Sequence, residues 1–168
     1  MGMFWLPERC VLHQHALWAE WVDRRSAFLS HAAHQAFAGY AYSQLHRLGS
    51  PNTRGYMGRE RKELFLRHGY DLKNAAHCLR LLRMGCELME TGELHVDRTN
   101  IDAEELKEIK SGKWTLGQVQ READRGFKRM EAAEKTSVLP ESPNLEVVEQ
   151  LVIRTYFEFW GAQVPRPK

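Results

Sequence analysis

The residue types best suited to chemistry in this chain are two cations and a histidine spaced along one helical segment. Lys73, His77 and Arg80 stand at i, i+4 and i+7 within residues 69–85, GYDLKNAAHCLRLLRMG. At 3.6 residues per turn, this spacing aligns the three side chains in one narrow stripe. An ammonium and a guanidinium aligned in this way, with a histidine between them, can hold a phosphate or a carboxylate. The solvated face of a core helix has the same spacing, so both interpretations remain open.

A second polar stripe occurs in residues 40–48, YAYSQLHRL. Tyr40, Gln44 and Arg47 share one side of the predicted helix. An aromatic ring, an amide and a guanidinium on one face could stack on a base and bind its backbone. The alternative is an aromatic residue and its hydrogen-bonding neighbours at a contact between two helices.

The other candidate sites are weaker. His31 and His34 could share a helix edge, but no carboxylate or cysteine stands at matching spacing, so we predict no metal site. Residues 49–55 resemble the Gly-Ser phosphate loop of nucleotidyltransferases, which is followed by two carboxylates spaced D-x-D. Here a helix precedes the Gly-Ser pair and the chain contains no D-x-D. We therefore interpret residues 49–55 as an interhelical loop.

Two arginine–histidine pairs have the loose R-x(4–6)-H spacing of HEPN-type ribonucleases. They are Arg25 with His31, and Arg61 with His68. Because the chain holds many arginines and histidines, chance is the better explanation, and a HEPN-like ribonuclease is the least favoured hypothesis.

The elements that would position these residues are helices almost throughout. Helical periodicity and cap residues predict helices over 13–27, 31–48, 56–68, 70–90, 103–110, 116–135 and 143–160. The predicted caps are Ser30, Asp102 with Glu105, Thr115 with Gln118, and Ser142. Only residues 93–96 suggest a strand. The predicted fold class is therefore all-α: an irregular antiparallel bundle of six or seven helices, with at most one short hairpin, built around 31–48, 70–90 and 143–160.

Composition limits the class of protein more than its activity. The chain has 168 residues, 43% apolar and 27% charged, which suits one packed domain with a possible appendage. Its net charge of +2 does not by itself indicate a nucleic-acid binder. However, residues 54–83 carry a balance of +5 (eight basic, three acidic) and residues 87–110 a balance of −5 (eight acidic, three basic). Three cysteines without a CxxC pair indicate a reducing compartment, and no apolar run could span a membrane, so a cytoplasmic protein is expected.

Three blocks of the sequence occur in an order and at a spacing that resemble a known family. They are FLSHAAHQAFAGYAYSQLHRL (28–48), GYDLKNAAHCLRLLRMGCELMETGEL (69–94) and EELKEIKSGKWTLGQV (104–119). Together they resemble the C-terminal half of the RlaP-type predicted nucleotidyltransferases, members of the DNA polymerase beta superfamily associated with RNA repair and also carried by phages. The resemblance runs from about residue 9 to residue 160.

The resemblance implies a substrate-side role. The family's Gly-Ser loop and metal-binding acids lie in an N-terminal half that has no matching positions here, so we expect no catalytic residue and no metal ligand in this chain. Residues 1–27 would be a remnant of that half or a link to it, 28–162 the helical domain and 163–168 a disordered tail. The catalytic half would be missing, encoded as a separate polypeptide or supplied by a partner, and Mg²⁺ would come with it where it is supplied. The polar stripes would meet at one groove that binds a nucleotide or an RNA or DNA end, with Lys73 and Arg80 as phosphate ligands and His77 as a hydrogen-bond donor or proton shuttle. The residues expected to line it are Tyr40, Gln44, Arg47, Lys73, His77, Arg80 and Arg83.

A hypothesis from another class is a non-enzymatic interaction module. Phe4, Trp5, Trp18 and Trp21 give the N-terminus an aromatic character. If these rings are exposed they form a patch that requires burial, and the chain would then form a homodimer through them.

Overall fold

A computed structural model describes residues 2–49 and 58–161 of the chain, and these residues form an all-helical fold, as the sequence predicts. Short 3₁₀ turns cover Gly2–Trp5, Glu8–Cys10 and Arg25–Phe28. The α-helices of the described residues are α1 (Ala16–Asp23), α2 (Ala32–His46), α3 (Arg59–His68), α4 (Leu72–Thr91), α5 (Ala103–Lys110), α6 (Leu116–Lys135) and α7 (Leu145–Trp160). Residues 93–96, suggested as a strand, are irregular. Of the interhelical loop predicted at 49–55, residues 50–55 lie outside the described residues, as does the tail predicted at 163–168.

The central helix is α4, which packs against α2, α5 and α6. Helical spacing places Ala75, Leu79, Leu82 and Cys86 on one apolar face of this helix, and all four are buried. The helix begins where the Asp71 carboxylate accepts hydrogen bonds from the backbone N–H groups of Lys73 and Asn74, and it ends at Gly92 in the left-handed conformation. The helix that carries Lys73, His77 and Arg80 is therefore capped at both ends and packs against three other helices.

The third core helix is α6, and the prediction that residues 143–160 take this place is wrong. Val119, Ala123 and Met130 of α6 are buried against α4, and Gly126 lies against Leu82. Small residues at this contact let the two helix axes approach closely. By contrast, α7 packs on α1 and on the turn Arg25–Phe28, and of its residues only Leu151 is buried.

Of the four predicted caps, Thr115 with Gln118 occurs as predicted, Ser30 lies one residue before the N-cap residue His31, and the other two do not occur. Ser30 accepts a hydrogen bond from the Ala32 N–H, and Thr115 with Gln118 forms the predicted capping box. Helix α7 is capped by Asn144 and not by Ser142, so it begins two residues later than predicted. The Asp102 side chain makes no cap bond, because its carboxylate is bound by arginines instead.

The predicted helix over 13–27 is shorter and divided. His15 caps α1 by accepting from the Leu17 N–H, and the helix ends at Asp23. The tighter turn that follows places the Phe28 ring on the Trp21 ring, at 5.5 Å between centroids. Within the described residues, no helix is both long and apolar enough to cross a membrane.

Candidate functional site

A groove of about 430 Å³ lies where α2, α4 and α5 meet, and it carries the two polar stripes. The stripes of α2 and α4 face each other across it, as the sequence predicts. The groove contains six of the seven predicted site residues, together with Asn74, Ala76, Leu106 and Lys110. Those six are Tyr40, Gln44, Arg47, Lys73, His77 and Arg80.

The charged side chains among the described residues that line the groove are all positive. Arg47, Lys73, Arg80 and Lys110 line its walls, and no carboxylate of the described residues does. None of these four cations forms an ion pair with any other residue in the two described stretches of the chain. An uncompensated cluster of cations is costly through mutual repulsion and is relieved by an anion. The groove is therefore suited to a phosphate or a carboxylate.

His77 lies among these cations and takes part in the groove as a neutral ring. Its imidazole meets the Tyr40 ring edge to face, at 5.2 Å between centroids. Burial lowers the pKa of His77, and the charges of Arg80, Lys110 and Lys73 lower it further. A neutral imidazole both donates and accepts a hydrogen bond, so His77 can bind a hydroxyl or a base edge beside the phosphate site.

No family model, curated protein or solved structure matches this chain. The resemblance to the RlaP-type proteins therefore rests on the three sequence blocks, and any role drawn from it is a hypothesis.

Arg83 is the one predicted site residue that lies outside the groove. Three residues beyond Arg80, it is rotated by about 60° around the helix, away from the stripe. Its guanidinium donates to Asp102 at 2.8 Å and to Glu105 at 2.7 Å. The prediction that Arg83 faces the ligand groove is wrong, because acids on α5 and at its start already neutralise it.

Arg83 belongs to an ionic cluster that fixes α5 against α4. Arg98 donates to Asp102 at 2.7 and 3.0 Å and to Glu87 at 2.5 Å, with only 6% of its side chain exposed. Burial alone lowers the pKa of Arg98, but the bonds to Asp102 and Glu87 outweigh it and raise the pKa. The acidic segment of the sequence is thus bound by Arg83 of α4 and by its own Arg98. This cluster positions α5, and with it Lys110.

Lys110 is the charged groove residue that the sequence does not predict. It lies at the end of α5, in the segment whose overall balance is acidic, so its charge was counted there. The sequence feature that could have indicated Lys110 is its helical spacing from Leu106 and Ile109. Both are buried, so this side of α5 faces α4. Only the packing of α5 on α4 brings it to Arg80.

The residues of the ribonuclease hypothesis have structural partners. Arg25 lies over the Trp5 ring and pairs with Glu93 at 3.5 Å. Arg61 donates to Asp71, at 2.6 Å in its shortest bond, and to Asn74. The two arginines are thus engaged in holding the fold, and no observation supports a ribonuclease.

The described histidines do not cluster with other side chains that could bind a metal ion. His34 lies 3.2 Å from a carboxylate oxygen of Glu134. Across residues 2–49 and 58–161, no group of three histidine, cysteine or acidic side chains is close enough to hold a metal ion.

Proposed function

We propose that this chain is the helical, substrate-side half of a nucleotidyltransferase-like protein, and that its groove binds the phosphate of a nucleotide or of a nucleic-acid end. The observation that carries the proposal is the convergence of four cations on one cavity, with no acid among the described residues that form its walls. Beside them stand Tyr40, half exposed, and neutral His77. Cations next to an aromatic ring are the usual combination for a nucleotide or single strand.

The blocks of the family resemblance support the same site. Tyr40, Gln44 and Arg47 belong to the block 28–48, Lys73 to Arg80 to the block 69–94, and Lys110 to the block 104–119. The three blocks are separate in the sequence, and each contributes side chains to one groove. A surface built from the blocks that carry the resemblance is where a shared substrate would bind.

The groove is a phosphate site and does not fit a magnesium ion. Mg²⁺ requires oxygen ligands, usually carboxylates, and the walls of the groove carry cations instead. In the proposal, Mg²⁺ and the reacting groups belong to a separate catalytic polypeptide, which would align the attacking hydroxyl and the triphosphate. This chain would neutralise phosphate charge through Lys73 and Arg80 and orient the ligand through His77.

The first prediction tests phosphate binding. Arg80→Ala and Lys73→Ala should each weaken binding of a nucleoside triphosphate about tenfold at low salt, because each removes one charge-assisted hydrogen bond. With an RNA oligonucleotide, each should also reduce the slope of log K against log salt by about 0.7, the contribution of one released counterion. Calorimetric titration at several salt concentrations measures both quantities.

Matched controls are available on α6. Arg121→Ala and Lys128→Ala remove the same charges from helical positions outside the groove. They should leave affinity and salt slope close to those of the unmodified chain. The proposal fails if no binding is detected at low salt, or if the groove and control variants lose affinity equally.

A second candidate function is self-association, and the exposed side of α7 favours it. Leu145, Val152, Tyr156 and Phe159 stand at i, i+7, i+11 and i+14 on one stripe, flanked by Ile153 and Trp160. These six side chains are 44–68% exposed. With roughly 100 Å² offered by each of the three aromatics, the stripe supplies much of the ~800 Å² per partner of a standard interface.

The N-terminal aromatics are less suitable for that contact than the sequence suggested. Phe4 stacks on Trp18 at 5.0 Å and on Phe28 at 5.2 Å, and Trp21 donates to Thr155 at 2.8 Å. These rings are half-buried against one another and against α7. If the chain forms a dimer, α7 presents the larger free apolar surface.

The second prediction tests the α7 surface. Tyr156→Glu should convert a dimer into a monomer in multi-angle light scattering at tens of micromolar protein, because a charge would enter the apolar contact. Tyr42→Glu replaces an equally exposed tyrosine on α2 and should leave the mass unchanged. A monomeric mass for the unmodified chain over the same concentrations would exclude this function.

A further inference from the structure

A second cavity adjoins the groove, and the two share a wall. It has a volume of about 370 Å³ and lies between the N-terminal turns, the segment 96–99 and α5. Arg80, Leu106 and Lys110 line both cavities. Each volume lies in the lower part of the roughly 300–1,000 Å³ range of small-ligand sites, so each suits one small unit of a ligand.

The shared wall carries charge, and the far side of the second cavity is more apolar. Leu6, Pro7 and Val96 line that side, so it offers a surface on which a planar ring can pack. The charged side chains on that side of the second cavity are paired with groups of opposite charge. Asp97 pairs with Arg9, Arg98 is bound by Glu87 and Asp102, and Lys107 pairs with Glu104 at 2.6 Å. Within the described part of the chain, the uncompensated cations of the second cavity are thus the two that it shares with the groove.

We infer that the ligand is a single-stranded oligonucleotide of at least two nucleotides, which crosses from the groove into this second cavity. One nucleotide would lie beside Tyr40 and His77, and the next would pack its base against Leu6 and Val96. The phosphodiester between them would lie at the shared wall, between Arg80 and Lys110. This inference rests on the proposed function and specifies its substrate class.

The periodicity of a nucleic-acid strand explains why two of the four groove cations, Arg80 and Lys110, lie where the cavities join. A strand has one phosphate between each pair of bases, whereas a mononucleotide has its phosphates at one end. Two compartments with uncompensated cations at their common wall match the first pattern. Single-strand sites combine such cations with surfaces on which successive bases pack, worth ~1–3 kcal/mol per base.

Cys10 provides a probe of the second cavity, because it lines that cavity and is exposed. The two other cysteines are buried, and burial raises the pKa of Cys78 to about 12 and that of Cys86 to about 11. An alkylating reagent should therefore react with Cys10 in the folded chain. A ligand that fills the second cavity should slow this reaction, and one confined to the groove should not.

The third prediction compares a 5′-phosphorylated mononucleotide with the 5′-phosphorylated dinucleotide of the same base. The dinucleotide should bind about tenfold tighter or more, because a second base is packed and a second phosphate is neutralised. At saturation it should slow iodoacetamide alkylation of Cys10 at least several-fold, while the saturating mononucleotide leaves the rate unchanged. Ala103→Phe, which fills part of the second cavity, should narrow the difference in affinity.

Three outcomes overturn the inference and separate it from the proposed function. If both ligands bind equally, lose affinity with Arg80→Ala and leave Cys10 alkylation unchanged, the ligand is a mononucleotide and the proposed function stands. If the mononucleotide protects Cys10 as well as the dinucleotide does, the two cavities are one mononucleotide site. If neither ligand binds at low salt, the inference and the proposed function both fail.

Discussion

Asp102→Ala is expected to lower the free energy of unfolding by about 1.5–3 kcal/mol, the usual contribution of hydrogen bonds between charged groups, here in a part-buried ionic cluster. The Asp102 carboxylate is 9% exposed and accepts hydrogen bonds from both Arg83 and Arg98. Without it, Arg98 keeps Glu87 as its remaining carboxylate partner and Arg83 keeps acids at longer range or greater exposure. Urea denaturation followed by circular dichroism measures the loss.

The control lies on the same helix. Glu104→Ala also removes an acid of α5, but its partner Lys107 is largely exposed and so is Glu104. An exposed pair contributes ~0.2–1 kcal/mol, so this variant should remain close to the unmodified chain. If Asp102→Ala costs no more than Glu104→Ala, the buried cluster does not hold α5 on α4.

The same carboxylate gives the stability a defined pH dependence. Burial alone would raise the pKa of Asp102, but the hydrogen bonds and charges of Arg98 and Arg83 outweigh it and hold the pKa below its ordinary value. A lowered pKa in the folded state means that the unfolded chain binds the proton more readily. The stabilisation is therefore present above the unfolded pKa and is lost as the pH falls through the folded pKa. Asp102→Ala should flatten this acid limb of the stability profile.

The local features of the fold follow from the sequence, and its long-range arrangement does not. The helical periodicity of the apolar residues in α4 predicts its buried face, and Thr115 with Gln118 predicts the start of α6. These features depend on residues a few positions apart. The choice of α6 over α7 as the third core helix depends on Gly85 and Gly126, which let neighbouring side chains enter between helices. The α7 sequence is the more apolar of the two, so hydrophobicity alone selects the wrong helix.

In the candidate site, too, the features set within one helix follow from the sequence, and those set by contacts between distant segments do not. Helical spacing aligns Lys73, His77 and Arg80, and it aligns Tyr40, Gln44 and Arg47, because each set lies on one helix. Helical spacing alone does not reveal the partners of Arg83, because Asp102 and Glu105 lie about twenty residues away in the sequence. Lys110 was missed for the same reason. Which cations remain unpaired is a property of the packed chain, and it is this property that distinguishes the groove.

Gly85→Ala is expected to destabilise the chain by about 1–3 kcal/mol through overpacking. A Cβ at this position would lie 2.8 Å from the Cβ of Phe37 and would overlap the terminal methyl of Met130. The Met130 side chain can turn away, but the Phe37 Cβ is fixed to α2 and can move only with that helix. The loss therefore exceeds the gain of ~1 kcal/mol that alanine normally brings to a helix interior in place of glycine.

Gly39→Ala is also a glycine-to-alanine substitution, but we expect it to stabilise the chain. Gly39 lies within α2 and is exposed, and a Cβ added there would meet no atom of the described residues within 4 Å beyond its own helix backbone and chain neighbours. Alanine should therefore raise the free energy of unfolding by roughly 0.5–1 kcal/mol, the difference in helix propensity. Urea denaturation of both variants distinguishes packing from propensity. If Gly85→Ala is also stabilising, α2 and α6 do not approach α4 as closely as described, and the walls of the groove are not fixed by that contact.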